Sequence, residues 1–359
     1  MLYWLGQLLA PSFGPFRLLS SRLVLASLGV GAGAFLVWWF LPRLLHRLPR
    51  DRGREFSHDA EKSLGKPTGG GIILIPIYVA VCVLVVPWYD ASDPASTIRY
   101  EPFAILVCTL LALATGFLDD RSTDSWGEYR KALLDLGITV IVAWVLCRGE
   151  SATIWFPFLG GEVEVSPSIY IPSATALLWI AINSTNCTDG VDGLSASLLS
   201  LSLLYLAVIL YVAVGHEDIA AYLLVPHVEM GADWAIMALT LMGVLGGYLW
   251  HNANPSSVLM GDAGSRPLGL LLGVFSLATG NPLLLFIIAA VVVVNGGTGL
   301  VKVALLRFLR IGIFRNVRFP LHDHCRKNLG WSNTQVLVRF MIVQAVLTPI
   351  LVVCFLKVR

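Results

Sequence analysis

The chain has 359 residues, of which 56% are hydrophobic and only 13% charged, and its mean hydropathy is +0.75. Soluble globular chains carry about a quarter charged residues, so this composition excludes an ordinary soluble enzyme and points to the membrane class. The net charge of +2 names no partner; where the charges fall matters more than their sum.

A membrane-spanning helix needs roughly 20 mostly apolar residues, and segments of that kind recur from one end of the chain to the other. Residues 1–20 (MLYWLGQLLAPSFGPFRLLS) are aromatic and lack a basic stretch followed by a small-residue cleavage site. They are expected to lie on the membrane surface rather than to be removed. Ten spans are then expected, at approximately 22–42, 70–88, 101–118, 132–148, 172–186, 194–214, 233–250, 267–280, 282–306 and 335–356. Between the fourth and fifth, residues 151–171 alternate β-branched residues around Gly160-Gly161, which predicts a small hairpin. Residues 215–232 predict a short interfacial helix. No ten-residue alternation repeats along the chain, which argues against a barrel. The fold class is therefore an all-α polytopic membrane protein, one membrane-embedded domain over 1–359. The six cysteines are scattered without a CxxC pair and read as small apolar helix residues.

Basic residues orient the spans. Arg43, Arg47, Arg50, Arg52, Arg54, Lys62 and Lys66 follow the first span, and Arg307, Arg310, Arg315, Arg318, Arg326 and Lys327 follow the ninth. The even-numbered connections carry almost none. Both termini and the hairpin are accordingly expected outside.

With that orientation four polar clusters share the cytoplasmic face. Each follows the C-terminal end of an odd-numbered span: Asp119 and Asp120 after the third, and Asn183, Asn186, Asp189 and Asp192 at the fifth. His251, Asn252, Asn254 and Asp262 follow the seventh, and His322, Asp323 and His324 the ninth. A helix C-terminus carries about half a negative charge, which disfavours each nearby carboxylate by a few tenths to about 1 kcal/mol. Three such helices ending in Asp repel one another unless a cation lies among them. Hard oxygen ligands on Gly-flexed loops suit Mg²⁺, which shares its coordination with substrate phosphates. Lys131, Lys62 or Lys66 and the basic residues after the ninth span would contact those phosphates.

Local readings compete with these. Asp192 also reads as the N-cap of the sixth span, and Ser265 as a cap of the eighth, with Gly261 and Gly264 as turn punctuation. A capped helix start is also a phosphate cradle. His322 and His324, two apart after Pro320, would point the same way from an extended segment. An ion-coupled transporter, whose carboxylates line a path near the bilayer midplane, fits poorly, because the acids gather at one face.

From about Lys62 to Phe340 the chain resembles the polyprenyl-phosphate N-acetylhexosamine-1-phosphate transferases. GFLDD, NSTNCTDGVDGL, MGDAGS with its upstream Asn252, and PLHDH…GW…RF match in order and spacing. The last motif is similar to the muramoyl-pentapeptide branch rather than the GlcNAc-1-phosphate branch. Three departures stand out. The middle of three family histidines is Asp323, the usual TPTMGG is KPTGGG (66–71), and the lysine shortly after the paired aspartates is missing, leaving Arg121 or Lys131 to replace it. Asn295 and Lys302 in the ninth span are also unusual.

The resemblance implies an enzyme of the bacterial inner membrane with its active site on the cytoplasmic face. It would transfer phospho-MurNAc-pentapeptide from the UDP-linked donor to undecaprenyl phosphate, giving lipid I and UMP. The alternative is a GlcNAc-1-phosphate transferase using UDP-GlcNAc. Mg²⁺ is the implied cofactor, with Asp262 its principal ligand and Asp119 a second. Asp119 and Asp120 would lie near the lipid phosphate, and His322 would act with them in catalysis. Asn183, Asn186, Asp189, Gly190, Asp192 and Asn252 would hold the uridine and diphosphate. Gly261, Ser265, His324, Lys131 and Lys66 complete the substrate contacts. The isoprenoid needs a lipid-facing groove, expected beside a ninth span interrupted at NGGTG (295–299). A homodimer is implied, and no nucleic acid.

Overall fold

The computed structural model describes residues 1–51, 64–88, 99–122, 126–156 and 161–357. Lys62, Arg52 and Arg54, expected among the phosphate contacts or the orienting charges, lie outside the described residues, as does Gly160 of the hairpin.

The described chain is mostly helical. A surface helix α1 (Leu2–Leu9) and a 3-10 turn (Gly14–Ser20) precede α2 (Arg22–Leu44). Then come α3 (Gly71–Val85), α4 (Tyr100–Arg121) and α5 (Glu128–Cys147). Strands β1 (Ala152–Phe156) and β2 (Gly161–Val165) pair antiparallel, Ile154 opposite Val163. Helix α6 (Pro167–Thr188) opens on a proline whose missing N–H costs nothing at a first helical position. Helix α7 (Leu194–Val208) continues through a π turn (Ile209–Ala213), and a short α8 (Glu217–Leu223) links it to α9 (Gly231–Asn252). Helix α10 (Asp262–Ala278) is followed by α11 over residues 284–309, broken at Ala289 and wound as a π turn at Val293–Gly297. The polar helix α12 (Leu321–Leu329) and the apolar α13 (Asn333–Lys357) end the chain.

Each of the ten predicted apolar segments is helical. Six helices among the described residues are long and apolar enough to cross a membrane, including α2, α4, α9 and α13. The predicted hairpin occupies 152–165, and the residues after it already belong to α6.

Helices α9 and α10 form the centre. Every residue of α10 from Asp262 to Leu277 is buried, and α9 packs along α2. A Cβ at Gly243 or Gly247 would run into the α2 backbone at Val30 and Ala34, so these small residues let the two helices approach closely. The hairpin docks on the turn after α10: Trp155 donates from N to Gly280 O at 3.1 Å and from Nε1 to Thr279 O at 3.0 Å. The polar loops after α4, α6, α9 and α11 meet beyond the other end of α10, its N-terminus.

Candidate active site

The N-terminus of α10 is the anchor. Asp120 accepts from the backbone N of Asp262 at 3.0 Å and of Ala263 at 2.9 Å. A helix start presents unpaired N–H groups and partial positive charge, so a carboxylate delivered from α4 satisfies both. Gly261 precedes it with φ +70, and a Cβ there would collide with Asp120 Oδ2. The glycine is required twice over: for its left-handed backbone and for the carboxylate's approach. Asp120 therefore sets the position of Asp262.

Asp262 and its neighbour from α4, Asp119, are 5% and 7% exposed. The Lys131 ammonium lies between them, 3.1 Å from Asp262 Oδ2 and hydrogen-bonded to Asp119 Oδ2. The remaining oxygens are also held: Asp262 Oδ1 accepts from Asn186 Nδ2 at 2.9 Å, and Asp119 Oδ1 from Trp126 N at 2.8 Å. Of the two candidates for the missing family lysine, Lys131 is the one that reaches the aspartates. It is backed by a buried pair that sequence reasoning missed. Arg266 Nη2 donates to Asp135 Oδ1 at 2.6 Å and to Lys131 O at 3.2 Å. Two opposite charges inside otherwise apolar helices were the available signal.

Beside this cluster opens a polar cleft of 980 Å³, whose walls include Lys66, Asn186, Asp189, Asp192, Gly261 and His322. Lys66 is delivered by a short backbone ladder, Leu259 N to Pro67 O at 2.8 Å and Gly70 N to Leu259 O at 3.0 Å. It donates to Ser256 Oγ at 3.2 Å and lies 4.0 Å from Asp192. Ser256 is a site residue that the motifs do not single out; Arg326, from the basic run after the ninth span, and Trp331, of the GW pair, line the cleft.

Several expectations change. Asp192 does not cap α7, whose N-cap is Gly193; its carboxylate instead accepts from Ser256 Oγ at 2.7 Å and Ser256 N at 3.1 Å. Ser265 does not cap α10 either. It sits inside the first turn, donating to Gly261 O and accepting from Asn186 Nδ2, each at 3.0 Å. Asn183 does not line the cleft: its amide bonds back to Trp179 O on its own helix at 2.9 Å. Asn252 lines the cleft but spends its amide on the backbone, accepting from Gly193 N and donating to Val258 O, both at 2.8 Å. It knits two loops together.

The histidines separate as well. Residues 321–329 form a helix rather than an extended segment, and positions two apart on a helix point to different sides. His322 is 2% exposed and lines the cleft. Burial pushes its pKa down to about 4, against a smaller upward pull from Asp323. His324 accepts from Arg318 N at 3.4 Å and does not line the cleft, whereas Asp323 between them does.

The donor set fits Mg²⁺. Asp119 and Asp262 offer hard oxygens facing one point, now held by an ammonium as a cation of the protein's own. Among the described residues no three His, Cys, Asp or Glu are placed to hold one ion together. An Mg²⁺ ion here would be held by these two carboxylates, with its other positions left to phosphates and water.

Residues 102–280 match the family model described as glycosyl transferase family 4. The chain is 46% identical over 97% of its length to a phospho-N-acetylmuramoyl-pentapeptide-transferase of Treponema pallidum (strain Nichols), 94% of which is covered. Proteins of the same name from Brachyspira hyodysenteriae and Nitratidesulfovibrio vulgaris are 30% and 32% identical. The alignment covers all of both chains in the first case, and 89% of this chain and 88% of the relative in the second.

Proposed function

The chain belongs to the phospho-N-acetylmuramoyl-pentapeptide-transferases of glycosyl transferase family 4, and from that premise we propose its substrates and chemistry. Phospho-MurNAc-pentapeptide passes from its UDP-linked donor to undecaprenyl phosphate, forming lipid I and releasing UMP. A lipid phosphate oxygen attacks the donor's β-phosphorus as the bond to the UMP oxygen breaks in line. The observation that carries this reading is the Asp119–Lys131–Asp262 cluster set against a cleft walled by Lys66, Asp192 and His322.

Such transfers depend on positioning and on neutralising phosphoryl charge. Asp262 and Asp119 would hold Mg²⁺, which supplies Lewis-acid neutralisation of the diphosphate when bound. Lys131 and Lys66 add fixed positive charge on either side. Asn186 orients Asp262 through its amide, and Asp120 holds the turn that carries it. No base is demanded, because a phosphate monoester has its second pKa at about 6 and is largely ionised at neutral pH.

Ten spans, with both termini and the hairpin outside, put the cleft on the cytoplasmic face of the inner membrane. The run of arginines after α2 and the basic segment after α11 support that orientation.

The deciding experiment measures UMP release in detergent with undecaprenyl phosphate and Mg²⁺, comparing UDP-MurNAc-pentapeptide with UDP-GlcNAc. Turnover of the first alone is expected. Preferential turnover of UDP-GlcNAc would place the chain in the other branch, and substrate uptake into vesicles without UMP release would restore a transporter.

A further inference from the structure

Asn295 belongs to none of the motifs that carry the family resemblance, yet it is fully buried, in the π turn of α11, against the cleft histidine. A buried amide must place its donors and acceptor or lose stability. Its partners are unusually complete. Oδ1 accepts from the backbone N of His322 at 2.8 Å, and Nδ2 donates to Thr188 Oγ1 at 3.1 Å. Thr188 gives its own hydrogen to Ser184 O at 2.7 Å, so its oxygen can only accept from Asn295. These two contacts leave no freedom to exchange the amide's oxygen and nitrogen.

The same amide edge meets the imidazole. His322 Nδ1 lies 3.1 Å from Asn295 Nδ2 and 3.2 Å from Oδ1. Counting hydrogens separates the two arrangements. Nδ2 has two, and Thr188 takes one. If Nδ1 accepts the second, every polar hydrogen of the buried group is paired. If Nδ1 instead carries a proton toward Oδ1, the second amide hydrogen is orphaned where no water reaches, the costlier state. The far edge of the ring lies over Gly190 in the cleft wall, where a Cβ would collide with Nε2. The charged group facing it is Asp323, 3.8 Å from Nε2.

We propose that Asn295 is a positioning residue that holds neutral His322 in the Nε2–H tautomer, so that the imidazole presents a hydrogen-bond donor, not a base, to the cleft. A donor at that point suits an anionic phosphoryl oxygen, and the inference deepens the phosphotransfer reading and rests on it. The pKa of His322, pushed down by burial, agrees with a neutral ring.

The test reads the tautomer directly. Protein labelled with ¹⁵N in the histidine rings is examined in detergent at pH 7, with His322→Ala identifying the His322 signals. Protonated Nε2 and unprotonated Nδ1 are expected, and in Asn295→Leu the pair of signals should move toward the averaged values of a free ring. A protonated Nδ1 in the wild-type protein, or signals unchanged in Asn295→Leu, overturns the proposal whatever the variants' stability. In the UMP assay Asn295→Leu should lose about 10–100-fold in kcat, the size seen when partners of ligating histidines are removed. Asn295→Asp, equal in shape but only an acceptor toward Nδ1, should fail to restore it; full activity in that variant would reduce Asn295 to packing. Absence of UMP release by the wild-type protein would remove the transferase reading while leaving the tautomer measurement intact.

Discussion

The two ends of α9 hold buried charge in opposite balance. At its start Asp233 is 1% exposed and meets two guanidinium groups, Arg22 at 3.4 Å and Arg99 in direct contact. Arg99 also reaches the exposed Glu229 at 3.6 Å. That cluster is matched in charge: two arginines face two acids. Where α9 ends, Asp119, Asp120, Asp189, Asp192 and Asp262 gather beside Lys131 and Lys66. Among the described residues that end is short of positive charge. A balanced cluster holds helices together, whereas a deficient one suits a cation and the phosphates it would carry.

Mutating the deficient end should have the largest effect. Asp262→Asn removes the charge that would bind Mg²⁺ and should lower UMP release about 1000-fold, the several kcal/mol a metal supplies. Near-normal turnover would sink the metal assignment. Lys131→Met leaves Asp119 and Asp262 facing each other without their ammonium. Activity should fall about 100-fold. The melting temperature should drop at low Mg²⁺ and recover as the ion is titrated, because a ligand bound only by the folded state stabilises it. A melting temperature indifferent to Mg²⁺ would contradict a shared cation site.

The balanced end should answer differently. Asp233→Asn leaves two arginines without their carboxylate and should cost about 3 kcal/mol of stability, read by denaturation, while UMP release by the folded fraction stays within about threefold. A selective loss of turnover there would break the contrast. The smallest effect is titration at the cleft. His322 is held neutral well below the ordinary histidine value of about 6.5. Above that value both folded and unfolded states are neutral and its contribution is constant. As pH falls from 6.5 toward 4 only the unfolded chain takes the proton, so stability declines by at most about 1.4 kcal/mol per pH unit. His322→Gln should flatten that slope in thermal melts across this range.

The legible part of the molecule is the part set by local pattern. Ten apolar runs became helices, the alternation within 151–171 gave β1 and β2 up to Val165, and NGGTG fell on the π turn of α11. The gathering of Asp119, Asp189, Asp192, Asp262 and His322 was legible too, because each ends or follows a helix on one side. Roles within the site were less so. Asp192 and Ser265 have the right composition for caps, but their partners, Ser256 and Asn186, lie 64 and 79 residues away. The PLHDH stretch is helical where its pattern suggests extension: Pro320 stands at the N-cap and the helix runs Leu321–Leu329.

The amino-acid sequence alone determined the class of the protein, because hydropathy and charge placement act residue by residue and need no partner. It also determined which end of the helices bears the chemistry. Only the tertiary structure decided how the polar side chains divide their work. It made Asp120 the anchor of α10, gave the lysine position to Lys131, and took Asn183 and His324 out of the cleft. It also tied Asn295 to His322. Hydrogen bonds are short and directional, so what a buried polar group does depends on which distant atoms the fold brings within about 3 Å.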